Sequence, residues 1–144
     1  MNLLSYPATL PRDTDGSVIA QFRDVPEALT HGTSEDGAAT WAQDALMVAL
    51  PISMDEGRDI PVPSKAKRGE RMVPLPAMSA AKLAIYQAMR ERRVRQLDLA
   101  QQLNIDAKQV RRLLDLNHNS TLPQLSAALE ALGKRLVVDV RDAA

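Results

Sequence analysis

Gln96-Leu97-Asp98-Leu99-Ala100-Gln101-Gln102-Leu103-Asn104-Ile105-Asp106-Ala107-Lys108-Gln109-Val110-Arg111-Arg112-Leu113-Leu114 is the stretch whose spacing decides the architecture. Two helices joined by a sharp turn need a small residue where they nearly touch, a turn four residues later, and branched apolar residues to seat the second helix. Ala100, Asn104, Ile105, Val110 and Leu113 occupy those places. Asn104 stands where glycine is commonest, and asparagine tolerates the left-handed conformation better than most residues. The spacing is that of a helix-turn-helix, and it predicts helices over 97–103 and 107–116. With the second helix seated, Lys108, Gln109, Arg111 and Arg112 lie around its outer surface, where they can meet a major groove. Glutamine pairs with adenine and arginine with guanine, each pair giving roughly 1 to 3 kcal/mol of discrimination. Gln96 at the first helix's start, and Asn117, His118 and Asn119 in the following loop, are placed to hold phosphates. A merely solvated face would explain the charge but not its agreement with the spacing and the four-helix setting.

Outward from this motif, Leu83, Tyr86 and Met89, with Ile85 and Ala88 alongside, predict a helix over 79–92 capped by Ser79. Another helix is expected over 122–132, ended by Gly133 in the left-handed conformation. Leu136-Val137-Val138-Asp139-Val140 is β-branched and predicts a short terminal strand that could pair with a symmetry mate. Toward the N-terminus the period changes from 3.6 to two. Leu4, Tyr6, Ala8 and Leu10 alternate, as do Val18, Ala20 and Phe22, and Asp13-Thr14-Asp15-Gly16 between them is turn chemistry. A third extended piece is expected over 28–32. Thr33 or Ser34 then caps a helix, with Asp36 complementing its first turn. Its apolar face reads as Ala38, Trp41, Ala42, Ala45, Val48, Ala49 and Ile52, packed on the sheet with Trp41 in the core. Pro51 should kink or end that helix. Residues 60–64 read as extended and 72–75 as an edge strand, because of their prolines. The fold class is therefore α+β: residues 1–76 form a sheet with a packed helix, and residues 77–144 form an all-α helix-turn-helix domain ending in a short strand.

The zero net charge of the 144 residues conceals an uneven distribution. Residues 1–64 hold three basic against ten acidic side chains, a net of −7; residues 65–78 carry +3 and residues 79–144 carry +4. Fields act over a Debye length of about 8 Å, so the front suits a cationic partner and the back an anionic one. With no cysteine, disulfides, thiolate metal sites and a cysteine nucleophile are excluded. No basic n-region or long apolar run opens the chain, so neither a membrane nor a secretory route is expected and a cytoplasmic location is. His31 and His118 lack metal-ligand spacing. Asp13, Asp15, Asp24 and Glu27 would be a nuclease cluster only if brought together, but two sit in a turn and two flank a proline. No catalytic residue, metal or other cofactor is expected.

In this order the parts resemble HicB-type antitoxins of bacterial toxin-antitoxin pairs, over nearly the whole chain. The resemblance is carried by Tyr6-Pro7, the turn ending in Gly16, Phe22-Arg23-Asp24-Val25-Pro26-Glu27-Ala28, Gly32-Thr33, Asp44-Ala45-Leu46 and Pro61-Val62-Pro63-Ser64. The helix-turn-helix and Ala131-Leu132-Gly133-Lys134 follow. It implies that the front domain is a partial ribonuclease-H-like fold that has lost catalysis and covers a HicA-type, mRNA-cleaving toxin. It also implies that the back domain binds double-stranded operator DNA and represses the pair's own operon. Tyr6, Phe22, Asp24 and Pro26, near the shared motif, are the candidate toxin contacts, Tyr6 and Phe22 being core residues on the alternative reading. Arg95 departs from the Ser or Thr that often caps the first motif helix. Operators of two half-sites imply a homodimer through the C-terminal domains, and a tetramer if the front domains associate too. The competing reading is a stand-alone transcriptional regulator whose front domain senses a small ligand.

Overall fold

Alternating apolar residues at the start of the chain become a β-hairpin. Strands β1 (Ser5–Thr9) and β2 (Val18–Phe22) pair antiparallel, with Ala8 opposite Phe22. Between them Gly16 takes φ +86°, a conformation that favours glycine, and its N–H donates to the Asp13 carbonyl at 3.0 Å. Strand β3 (Leu29–Gly32) adds to β2, and β4 (Arg71–Pro74) adds to the far side of β1. The antiparallel order is β3-β2-β1-β4, which leaves the proline-bearing β4 at an edge. Helix α1 (Glu35–Asp55) packs on this sheet. Helices α2 (Ala77–Arg92), α3 (Gln96–Leu103), α4 (Ala107–Leu114) and α5 (Leu122–Ala131) complete the elements. The computed structural model describes residues 1–142, the side chains of Glu35 and Asp36 lying outside that description. The chain divides into two compact units, Met1–Ala80 and Ala81–Ala144.

Ser34 caps α1, its hydroxyl accepting from Gly37 N at 3.1 Å. The part expected of the Asp36 side chain lies outside the described residues. Helix α1 does not end at Pro51 but runs on to Asp55. An interior proline costs roughly 3 kcal/mol. Full burial of Leu46 and Leu50 offsets this, since each large apolar side chain contributes roughly 1.5 to 3 kcal/mol.

The face α1 buries is not the one its larger apolar residues suggest. Ala38, Ala42, Leu46, Ala49, Leu50 and Ser53 are inside, whereas Trp41, Val48 and Ile52 are 45, 71 and 38 % exposed. Trp41 is therefore not a core residue. β3 comes very close to the first turn, where a Cβ on Gly32 would sit 2.7 Å from the Ala38 nitrogen, and farther along Leu46 and Leu50 fill the buried face. Likewise α2 starts at Ala77, two residues before Ser79, which is buried inside the helix rather than capping it. Residues 136–140 form no strand within this chain. All named elements of residues 81–142 are helices, so no sheet edge in that unit can pair with them.

The segment after α1 is held back by polar contacts from three side chains. Tyr6, fully buried on β1, donates its hydroxyl to the Pro61 carbonyl at 2.6 Å. The Asp24 carboxylate accepts from Ser64 N at 2.7 Å and from Ser64 Oγ at 2.8 Å. Arg23 grips Glu70 with both Nε and a terminal nitrogen, at 2.9 and 3.0 Å, and donates to the Lys65 carbonyl. Burial, and secondarily the Asp24 charge, push the Tyr6 phenol well above its ordinary value.

That shift has a pH signature. The folded phenol stays protonated while the unfolded one ionises near pH 10, so its contribution is complete below about pH 10 and drains away as pH rises beyond it. Tyr6→Phe should cost about 1 kcal/mol at neutral pH through the lost hydrogen bond. It should also lose less stability than the parent between about pH 9 and about pH 11. Urea unfolding of both proteins across that range is the measurement, and parallel alkaline decline in the two would contradict the assignment.

Candidate functional site

In the second unit, Leu99 and Ala100 on α3 face Val110 and Leu113 on α4, and all four are buried. The turn between the helices is made by Asn104, at φ 53° and ψ 48°, and the Ile105 N–H reaches back to the Ala100 carbonyl at 3.0 Å. A left-handed residue is what lets α4 leave at a sharp angle immediately after α3. Asp106 then caps α4, its carboxylate accepting from Gln109 N at 2.8 Å, while Gln109 Oε1 accepts from Asp106 N at 3.2 Å.

With Val110 and Leu113 turned inward, Lys108, Gln109, Arg111 and Arg112 are all exposed. The structure thus brings Lys108, Arg111 and Arg112 onto the outer surface of one short helix, with Gln109 on its flank. Gln109 is also part of the helix cap, so its carbonyl oxygen must leave Asp106 before it can meet a base edge. Gln96 is the first residue of α3 and is exposed. Asn117 and Asn119 are exposed and His118 half-buried in the loop after α4, which is tied by Asn117 N to Asp115 Oδ1 at 2.9 Å and His118 N to the Asp115 carbonyl at 3.1 Å. A cavity of about 310 Å³ lies beside this surface, with Leu103, Ile105 and Leu113 in its lining together with Gln109, Arg112 and His118.

Two contributors were not foreseen. Lys82 on α2 is wholly buried, and its ammonium donates to the Arg112 carbonyl at 2.6 Å and to Ser120 Oγ at 2.8 Å. It fixes the C-terminal end of α4 and the start of the loop before α5 with one charged group. Burial pulls the Lys82 ammonium below its ordinary lysine value, with Asp115 partly opposing. The only sequence signal was a single cation inside the apolar run Ala80-Ala81-Lys82-Leu83-Ala84-Ile85. The second is Asp98. Arg95 cannot accept a hydrogen bond, yet the Asp98 carboxylate accepts from Arg95 N at 2.9 Å and from its guanidinium at 3.1 Å, so the acid supplies the cap. Arg95's hydrogen bonds hold the Asp98 carboxyl below its ordinary value.

The four residues proposed to touch a protein partner scatter. Tyr6 and Phe22 are in the core and Asp24 serves the strap to Ser64, leaving Pro26 exposed. Among the described residues no group of three or more His, Asp or Glu is placed to hold a metal ion, and no helix is long and apolar enough to cross a membrane.

Comparison with known proteins bears on the whole chain. Residues 5–84 match the family described as "HicB_like antitoxin of bacterial toxin-antitoxin system". The chain belongs to the HicB family of antitoxins. It is 35% identical to Antitoxin HicB 2 of Photorhabdus laumondii over 133 residues, covering 92% of this chain and 94% of that protein. Antitoxin HicB of Escherichia coli K12 is 30% identical, over 92% of this chain and 96% of its own. Antitoxin HicB of Pseudomonas fluorescens is 33% identical, over 89% and 88%. In this HicB chain the family match spans the sheet, α1 and the start of α2, and the relatives extend the likeness over α3 to α5.

Asn104 offers a direct check on the turn. Left-handed backbone costs an ordinary residue roughly 1 to 2 kcal/mol, and asparagine less. Asn104→Ala should destabilise the protein by about 1 kcal/mol, and Asn104→Gly should change it by less than about 0.5 kcal/mol. Chemical denaturation decides, and equal losses in both variants would show that the left-handed conformation is not what the residue supplies.

Proposed function

We propose that this HicB antitoxin neutralises a HicA-type, mRNA-cleaving toxin through its front unit and represses the pair's own operon through its back unit. In this reading residues 1–76 are a partial ribonuclease-H-like domain without catalysis of its own, and α3 and α4 are the helix-turn-helix of a DNA-binding domain spanning 77–144. One observation carries it: α4 buries Val110 and Leu113 and exposes Lys108, Arg111 and Arg112 on the opposite side, with Gln109 exposed at the flank. A short helix so seated, with cations at its outer surface, suits a major groove. The charge asymmetry supports the division of labour. A protein that cleaves RNA presents a basic surface to its substrate, and an acidic antitoxin unit can compete for that surface.

The operator-bound form is proposed to be a homodimer, because such motifs read paired half-sites. Exposed Val137, Val138 and Val140 in the segment after α5 favour pairing with a second copy, which would supply the strand partner missing from a single chain. Association of the front units would give a tetramer.

Arg111→Ala with Arg112→Ala separates the two activities. Both side chains are exposed, so the double variant should keep its melting temperature. It should lose repression of a reporter driven by its own promoter and still rescue growth when co-expressed with the toxin. Simultaneous loss of repression and rescue in a folded variant would contradict two separable activities.

A further inference from the structure

Helix α1 carries a second apolar stripe that the sheet does not use. Trp41, Ala45, Val48 and Ile52 follow one another by four, three and four residues. At about 100° per residue they fall within an arc of roughly 60°. Trp41, Val48 and Ile52 are exposed and Ala45 half-buried. The stripe runs along the flank of α1 nearest β3. The Trp41 ring meets the His31 ring edge-on with centroids 6.5 Å apart, and Gly32 lies directly against the first turn of the helix. Gly32 and Thr30 of β3 lie opposite the buried Val18 and Ala20, so Leu29 and His31 leave the strand on the face away from α1, and it is the His31 ring alone that meets the stripe, at Trp41. Only β2 pairs with β3, so its outer backbone edge is open to another chain among the described residues.

We propose that the toxin docks on this face, with Trp41 and Val48 as its apolar anchors and the open edge of β3 at its border. The assignment rests on the toxin-binding reading above and says where on the front unit that binding occurs. Large aromatic and apolar side chains left in water beside an open strand edge are the composition of an interface centre. The occupant follows from charge. Exposed Asp44 and Asp55 stand one helical turn from Trp41 and Ile52, on the side of the stripe away from the buried face. Residues 1–64 as a whole carry −7. A second copy would bring these acids against their own like, whereas a basic protein with an apolar patch would satisfy both the stripe and its border.

The test measures binding of the full-length antitoxin to the toxin encoded beside it, by titration calorimetry, for the parent and three variants. Val48→Asp and Trp41→Ala should each weaken binding roughly tenfold or more. Asp44→Lys should weaken binding and reduce its salt dependence. Met72→Ser, on the opposite edge strand, should change nothing. Melting temperatures accompany each variant, and Asp44→Lys, wholly at the surface, carries the test if Trp41→Ala unfolds. A parent that binds while Val48→Asp and Asp44→Lys bind equally well overturns this face and leaves the antitoxin reading standing. A parent that does not bind the toxin overturns both. A Val48→Asp variant that binds toxin normally but loses self-association by light scattering assigns the face to a second copy and overturns the proposal.

Discussion

Burial of Val110 and Leu113 against α3 decides where every cation on α4 points. A helix of eight residues has little more than two turns, so once two positions on one side are inside, the residues between and around them have nowhere but solvent to go. The turn at Asn104 makes that burial possible by letting α4 fold back at once onto α3. Lys82 then holds the other end. Its buried ammonium on the Arg112 carbonyl and the Ser120 hydroxyl joins α2, the end of α4 and the lead into α5 at one point. Removing such a group would leave its partners short of a donor inside the protein, which costs more than the bond contributes when made. Placement of the α4 cations therefore depends on a packed pair, a left-handed residue and a single buried charge.

The front unit works by a different constraint. Its sheet is narrow, and closeness of α1 to β3 at Gly32 selects alanines for the contact. Leu46 and Leu50 fill the rest of the buried face, so Trp41, Val48 and Ile52, on the next flank of the helix, stay at the surface. Tyr6, Arg23 and Asp24 hold residues 61–70 back against this unit, so their polar atoms are taken up within the chain. Tyr6, Arg23 and Asp24 thus serve the unit's own architecture, and Trp41, Val48 and Ile52 stand at its surface.

Much of this was legible in the sequence, and the exceptions have physical causes. Alternation marked β1 and β2, the prolines marked β4 as an edge, and the spacing around Ala100 and Asn104 marked α3 and α4. Hydrophobic periodicity identified α1 and the inward Ala38, Ala42 and Ala49, but it also took in Trp41, Val48 and Ile52 and passed over Leu46 and Leu50, because two apolar stripes run along the helix. Residues 136–140 have strand composition but no partner in the chain, and composition alone cannot supply one. Tyr6 and Phe22 looked available because their motif is shared with a family, yet alternation places both toward the core. Lys82 was invisible as a clamp, since nothing local to position 82 names a carbonyl thirty residues away.

The claim most exposed to contradiction is that the back unit reads DNA by sequence. Fluorescence anisotropy of the full-length protein on the duplex upstream of its own gene, against a scrambled duplex of equal length and composition, measured at several salt concentrations, addresses it directly. The account predicts binding to the upstream duplex roughly 10³-fold or more tighter than to the scrambled one, with affinity falling steeply as salt rises. Equal affinity for the two duplexes, or no binding to either, would contradict it.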